Sequence, residues 1–195
     1  MSKINYTIPE QNFEIISRKV GEILFVELPV QYSTNPPKIW LNRIVPFDKT
    51  ELPSINIIYA GSRYPTKDRE SRDSNDSIII DVYQKGVSNI TSRGDSLALT
   101  ALSKLLGKIA YILESTEYET LDIPQPLIRR TQVENINILE PSKTGDGNNV
   151  MTGRITFRVD AIESSILQQP IAAEGYSTTV KLHETDKGYT FIIEN

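Results

Sequence analysis

The chain has 195 residues, of which 38% are hydrophobic and 24% charged, and its formal net charge at pH 7 is −4. This composition is ordinary for a globular protein with a sizeable core. The negative charge argues against a general affinity for nucleic acid, because such binding needs surplus cations to neutralise phosphates. The absence of cysteine excludes a disulfide framework, a thiolate nucleophile and a zinc–thiolate site. We expect neither a signal peptide nor any window with the apolar length of a membrane span.

Residues 10–28 predict a first amphipathic helix, because apolar and charged side chains fall on opposite sides at helical spacing. Its apolar stripe consists of Phe13, Ile16, Val20, Ile23 and Leu24. We expect the helix to stop before Pro29, since a proline ring clashes with the preceding turn. Residues 24–28 fit a strand equally well.

Residues 38–47 predict a short edge strand, since Pro46 lacks the amide hydrogen that a central strand requires. This segment holds Trp40, which we interpret as a rim residue that seals the core rather than as a ligand-stacking residue. Residues 52–61 predict a strand with Pro53 near its start, where a proline is tolerated. Residues 77–85 predict the next strand.

Between those two strands, residues 62–76 contain four basic and four acidic side chains and almost nothing to bury. We predict an unstructured loop, and connections of this length are usually functional or mobile. A solvated loop and a binding loop fit the composition equally well. As a binding loop, it would suit a partner that pairs both charge signs. Its charged residues are Arg63, Lys67, Asp68, Arg69, Glu70, Arg72, Asp73 and Asp76.

The strongest helical pattern lies in residues 95–113, where Asp95 can cap the first turn. Thr100, Lys104, Gly107, Lys108 and Tyr111 form its polar side. The apolar side consists of Ala98, Ala101, Leu102, Leu105, Ile109, Ile112 and Leu113. A lone helix cannot bury such a stripe, so we expect it to lie on a sheet.

Two hairpins are predicted after this helix. Residues 114–132 predict an irregular segment. The first hairpin follows, with strands at 133–139 and 154–162. Alternation in its second strand predicts that four side chains face inward: Ile155, Phe157, Val159 and Ala161. The second hairpin has strands at 176–182 and 189–193, with Tyr189 and Phe191 on one face of the returning strand. Because a two-stranded ribbon is marginal alone, we expect it to pack on its own domain or on a neighbouring chain.

These elements predict an α+β fold: a mixed, largely antiparallel β-sheet packed by two amphipathic helices, with an additional C-terminal β-hairpin. We divide the chain into a main domain, 1–163, and an extension, 164–195.

No pattern in the sequence predicts catalysis. The single histidine, His183, has no serine-nucleophile motif or second metal ligand beside it. The segment before the main helix lacks the lysine and further glycines of a phosphate loop. The Gly-Asp-Gly-Asn-Asn stretch at 145–149 lacks the alternating acidic residues and closing glutamate of a calcium loop. We therefore expect a protein that is not an enzyme and has no catalytic residues, metal or cofactor.

The order of these elements resembles that of the tail terminator proteins of long-tailed bacteriophages. Four stretches carry the resemblance: 51–59 (ELPSINIIY), 79–83 (IIDVY), the helix 95–113, and 153–160 (GRITFRVD). It covers residues 10–163, and the longer members from contractile tails look like the closer parallel.

The resemblance implies a homohexameric ring in the virion, at the tail and neck, assembled in the host cytoplasm. Such a ring binds the last ring of the tail tube protein, stops tube growth and presents a docking face to the head-completion or neck protein. DNA passes through its lumen without specific binding, and no membrane is involved. Within it, we expect residues 62–76 to contact the tube or the lumen. The C-terminal ribbon, with Tyr189 and Phe191, would contact a protomer or the tail sheath protein.

Two alternatives stay open. One is another phage neck or tail joining ring, a head-closure or tube-initiating protein. The other is a small-molecule-binding α+β module with a pocket between the helix 97–113 and the sheet.

Overall fold

The protein was described from a computed structural model that defines residues 10–32, 34–65, 71–85, 94–123, 127–139, 150–164, 178–181 and 188–191. The chain divides into two compact units, Met1–Ser165 and Ile166–Asn195. A mixed five-stranded sheet and two helices belong to the first unit, which confirms the predicted α+β class.

The first unit contains the helices α1 (Asn12–Gln31) and α2 (Gly94–Leu113). Its strands are β1 (Lys38–Leu41), β2 (Ser54–Arg63), β3 (Ser71–Lys85), β4 (Ile128–Leu139) and β5 (Val150–Ser164). Short 3₁₀ turns lie at Lys49–Glu51 and Thr116–Tyr118. The second unit contributes β6 (Thr178–Lys181) and β7 (Gly188–Phe191).

The sheet has the strand order β1-β2-β3-β5-β4, with β1 parallel to β2 and the other neighbours antiparallel. Alternate side chains of its central strands point to the helices, as a two-residue period requires. Ile57, Ile80 and Ile155 form one such row across three strands and are fully buried with α1 and α2 residues in one core. We call the opposite side the open face of the sheet, because no helix of the described segments covers it.

Helix α2 follows the predicted pattern. Leu102, Leu105, Ile109 and Leu113 are buried, whereas Lys104, Gly107 and Tyr111 are exposed. Its stretch Ser96–Leu113 is, by length and composition alone, apolar enough to cross a membrane, so our expectation that no window reaches that length was wrong. The apolar side of the helix is buried against the sheet, which is the usual position of a core helix.

Helix α1 extends beyond the predicted stop, to Gln31, with Pro29 inside its last turn. A proline there removes one helical hydrogen bond, the one to the carbonyl of Phe25, on an exposed part of the helix where water can replace it. Residues 24–28 are therefore helical and not strand. Gly21 brings α1 close to β1, because a Cβ at this position would lie 3.0 Å from Leu41 Cδ2.

Residues 62–63 and 71–76 of the predicted loop are β-strand, so the prediction of an unstructured loop was wrong for these residues. β2 continues to Arg63, and β3 begins at Ser71. All of residues 71–76 pair with β5, and Asn75 and Asp76 also pair with β2, so that Asp76 lies between Val159 on one side and Ser62 on the other. Backbone pairing thus stabilises a segment whose side chains alone suggest a loop. The register shifts between Tyr59 and Gly61, where Gly61 adopts a φ of 138° that favours glycine.

The remaining strand predictions hold with different bounds. β1 is a four-residue edge strand, shorter than predicted. β4 begins at Ile128, so residues 128–132 are strand and not irregular. In β5 the predicted inward residues Ile155, Phe157, Val159 and Ala161 are all buried.

The second unit is described only by its ribbon, in which Thr178 pairs with Phe191 and Lys181 with Gly188. The predicted C-terminal hairpin is therefore present, with shorter strands. Its role as a separate extension of a tail-terminator-like domain stays a prediction.

Candidate interaction surfaces

The ten residues predicted to bind a partner do not come together as one described site. Lys67, Asp68, Arg69 and Glu70 lie outside the described residues. Arg72 of β3 and Tyr189 and Phe191 of β7 are described by their strand backbone alone. Their proposed contacts stay predictions.

The other three predicted residues have defined surroundings. Asp76 is only 1% exposed and accepts hydrogen bonds from the hydroxyls of Ser62 and Ser74, so it contributes to the interior of the unit. Asp73 lies nearer the surface, 3.1 Å from the guanidinium of Arg129. Arg63 is exposed and borders a cavity of about 560 Å³ on the open face, next to Arg158 and Glu134.

Paired charges cover much of the open face. Arg154 donates two hydrogen bonds to the carboxylate of Asp81, at 2.7 and 2.9 Å. Arg158 bonds Asp160 at 2.8 Å and Glu134 at 3.3 Å. Because Arg154 and Arg158 already have carboxylate partners, these two arginines offer little net charge to an external ligand.

A more unusual feature lies at the β1 end of the sheet, in residues 42–48, which we call the tip loop. Its backbone is bound by the side chain of Asn56, which accepts from the Arg43 amide at 3.0 Å and donates to the Arg43 carbonyl at 2.9 Å. The Arg43 guanidinium forms two hydrogen bonds of 2.8 Å with Glu51 and stacks 4.4 Å from the ring centres of Trp40 and Phe47. These contacts fix the loop at its base.

The pKa of Glu51 is lowered from its ordinary value of 4.5, first by the hydrogen bonds from Arg43 and then by the backbone amide of Asp48. Arg43 also donates to the carbonyl of Val45 at 3.1 Å. Despite this anchoring, the two residues after Arg43 in the tip loop are apolar and exposed to solvent. Ile44 is 96% exposed and Val45 is 68% exposed.

The second unusual feature is a cavity of about 730 Å³ between the C-terminal halves of α1 and α2 and the turn Thr116–Tyr118. We call it the α1–α2 groove. It is lined by Glu27 and Gln31 of α1, by Lys104, Gly107, Lys108 and Tyr111 of α2, and by residues of the following turn. Tyr111 is 80% exposed at its border. Val26 and Val30, each one residue before a lining residue of α1, are also mostly exposed.

Hydrogen bonds define the polar part of this groove. The Tyr118 hydroxyl donates to Glu27, which raises the pKa of Tyr118 to about 12. Lys108 donates to the Gln31 carbonyl at 2.8 Å and lies 3.9 Å from the centre of the Tyr32 ring. These bonds connect the C-terminal end of α1 to α2 and to the turn Thr116–Tyr118.

Neither surface was predicted from the sequence. Residues 42–47 were expected in an edge strand, although two adjacent β-branched residues before a proline interrupt the alternation of a strand. Gly107, Lys108 and Tyr111 fall together on the predicted polar side of α2, which was the available signal for the groove. Of the α1 residues that complete the groove, Glu27 was in the stretch where helix and strand fitted equally well, and Gln31 was beyond the predicted end of the helix.

Within the described segments, no group of three or more histidine, aspartate or glutamate side chains is arranged to hold a metal ion. In comparisons with known proteins, the chain matches no family model and no curated protein sequence. A proposal for its function therefore depends on its own residues and their geometry.

Proposed function

We propose that this protein is a structural virion protein of the tail terminator type. It forms a ring on the head-proximal end of the phage tail tube, ends tube polymerisation and provides the docking surface for the head or neck. It has no enzymatic role in this proposal. The resemblance of 51–59, 79–83, 95–113 and 153–160 to that family supports the phage assignment.

One observation carries the assembly part of the proposal. The first unit exposes apolar residues on two separate surfaces, the tip loop and the α1–α2 groove with its border. Apolar clusters exposed on a monomer are typical of protein–protein contact sites. Two different surfaces on one chain suit a head-to-tail contact, which is the contact that closes into cyclic rings.

The charge balance supports a lumen that DNA passes without binding. The net charge is −4, and the open-face arginines described above are paired with carboxylates. A surface of this kind supplies few free cations to phosphates. The partners in this proposal are further copies of the chain, the tail tube protein, the head-completion or neck protein and, for the C-terminal ribbon, the tail sheath protein.

The proposed ring can be tested by measuring the mass and shape of the particles that the purified full chain forms. Sedimentation velocity should show a species of about six times the chain mass of 22.0 kDa, and electron microscopy should show rings. Addition of the protein to polymerising tail tube protein should stop growth at one tube end. A chain that stays monomeric at high concentration and leaves tube length unchanged would contradict the proposal.

The predicted contact at residues 62–76 needs a narrower test than a deletion of the whole segment. Residues 71–76 pair with β5, so their removal would break the sheet. Replacing residues 66–70 with a Gly-Ser linker of equal length leaves the described strands intact. We expect rings that no longer stop tube growth. Normal tube capping by this variant would remove residues 66–70 from the proposed tube contact.

A head-closure or tube-initiating ring would also form a ring. The tube assay separates these roles, because a terminator stops elongation at the head-proximal end whereas an initiator increases the number of tubes.

One observation favours a small-molecule-binding protein as the second candidate. The α1–α2 groove has the size of many ligand sites and combines aromatic with charged side chains. A ligand that binds only the folded chain raises its melting temperature. A stable monomer whose melting temperature rises with one compound of a metabolite panel would support this function instead.

A further inference from the structure

The α1–α2 groove has the dimensions of a small-molecule site. Its volume of about 730 Å³ lies within the range of about 300–1,000 Å³ that encloses drug-sized ligands. Two helices and the turn Thr116–Tyr118 supply its walls, so regular elements hold most of the lining in place. That lining is mostly polar or charged, and the arrangement of its charges indicates which kind of ligand the groove can hold.

Negative charge is concentrated at one end of the groove, around Tyr118. Glu27 accepts a hydrogen bond from the Tyr118 hydroxyl. The pKa of Tyr118 is raised to about 12, first by this hydrogen bond, then by burial and by the charges of Glu27, Asp122 and Glu117. All three carboxylates line the groove, and neither Asp122 nor Glu117 forms an ion pair within the described part of the chain. Both can therefore accept hydrogen bonds from a positively charged ligand.

The helix ends add to this negative potential. The C-terminal end of a helix carries a partial negative charge, which a basic residue in the last turn can offset. Neither α1 nor α2 has a basic residue in its last turn, and both last turns line the groove, through Gln31 of α1 and through Tyr111 and Ile112 of α2. Lys108 offsets part of the charge at the α1 end, through its bond to the Gln31 carbonyl. The α2 end leads into the turn that carries Tyr118, so its potential adds to that of the carboxylates.

The two cations of the lining do not neutralise this end of the groove. Lys104 lies seven residues before Tyr111 on α2, which is about 10 Å along the helix axis. Lys108 is already bonded to a backbone carbonyl of α1 and lies 3.9 Å from the centre of the Tyr32 ring. Tyr111 and Tyr118 border the carboxylates, and tyrosine rings attract both cations and apolar groups.

We infer that the α1–α2 groove binds a small organic cation, in which a protonated amine, amidine or guanidine is attached to a short apolar body. The cationic group lies among Glu27, Glu117 and Asp122, and the apolar body lies against Tyr111. A neutral or negatively charged compound gains nothing from three carboxylates. The inference does not rest on the proposed ring, and it names a ligand class for the second candidate function.

Three compounds of similar size and shape test the role of charge. Benzamidine is a flat organic cation, benzamide is neutral and benzoate is an anion. Each is titrated into the purified full chain and followed by isothermal titration calorimetry. Benzamidine should bind at least about tenfold more tightly than benzamide, because hydrogen bonds between charged groups are stronger than those with one neutral partner. Benzoate should not bind.

Two variants that each remove one carboxylate locate the site. Glu27→Gln and Asp122→Asn change the shape of the side chain little, and asparagine tolerates the φ of 54° at residue 122. Each should weaken benzamidine binding about tenfold. Glu22→Gln removes an acidic side chain of α1 that does not line the groove, so this matched control should keep the wild-type affinity. Circular dichroism checks that each variant is folded.

Four results would overturn the inference. Absence of benzamidine binding at about 10 mM would show that the groove does not hold such a cation. Equal affinities for benzamidine and benzamide would show that charge does not select the ligand. Tighter binding of benzoate would show that Lys104 and Lys108 determine the specificity instead. Wild-type affinity in both groove variants would place the benzamidine site elsewhere.

These results leave the proposed ring standing, because sedimentation velocity tests it separately. Conversely, a monomeric chain that binds benzamidine through Glu27 and Asp122 would contradict the ring and support this inference.

Discussion

Two adjacent rows of side chains on opposite faces of the sheet have different chemistry. On the helix-covered face, Ile57, Ile80 and Ile155 are fully buried side by side, whereas one residue away on the open face the row is Asn56, Asp81 and Arg154. The first row stabilises the fold through apolar burial. The second forms directional bonds, and its Asn56 fixes the tip loop. One face therefore holds the unit together, while the other positions a surface element.

The largest expected effect lies on the covered face. Phe157→Ala removes a fully buried ring from the core and should lower the free energy of unfolding by about 3–5 kcal/mol. Urea denaturation followed by circular dichroism measures the loss. Thr156→Ala, its neighbour on the open face, should change stability by less than about 1 kcal/mol. Equal losses in the two variants would contradict the division between the faces.

Gly153→Ala tests the closeness of packing between β5 and α2. The added Cβ would lie 2.6 Å from Leu106 Cδ1, and Leu106 is itself buried, so we expect a loss of about 1–3 kcal/mol. In a Leu106→Ala background the same substitution should cost much less, because the clashing side chain is absent. Additive losses in this double-mutant cycle would show that Leu106 is not the cause.

Asp81→Ala probes the paired charges of the open face. Asp81 is 4% exposed, but its partner Arg154 retains 39% of its side-chain exposure and can regain water. We therefore expect a loss of about 1–2 kcal/mol, less than for a fully buried ion pair. Arg154→Met in the Asp81→Ala background should restore part of the loss, as measured by urea denaturation. Glu134→Ala, at a more exposed pair, should cost less than Asp81→Ala.

The smallest effect concerns the tip loop and its pH dependence. Arg43 lowers the folded-state pKa of Glu51. As the pH falls, the Glu51 carboxylate is therefore protonated at a higher pH in the unfolded chain than in the folded chain. Stability from this carboxylate is therefore complete above its ordinary pKa of 4.5 and is lost as the pH falls through the lower folded-state value. The stability difference between wild type and Glu51→Gln should be constant near neutral pH and shrink in acid. A difference independent of pH would contradict the role of the Arg43–Glu51 pair.

Local periodicity predicted α2 and the inward residues of β5 because each pattern reflects a single packed face. The same reasoning was wrong where long-range pairing dominates. Residues 71–76 look like a charged loop, yet β5 pairs with all of them and β2 pairs with Asn75 and Asp76 on the other side. Pro29 was expected to end α1, but its position in the last turn costs little, since only one helical hydrogen bond is lost.

The amino-acid sequence alone determined the α+β class, the two helices and most strands, because burial of an apolar stripe imposes a local spacing on residues. The candidate surfaces depend on residues far apart in the chain. Asn56 fixes Arg43 from another strand, and the groove exists only where the C-terminal ends of α1 and α2 meet. Exposure of Ile44 and the open space beside Gly107 are properties of packed elements, so only the tertiary structure decided them.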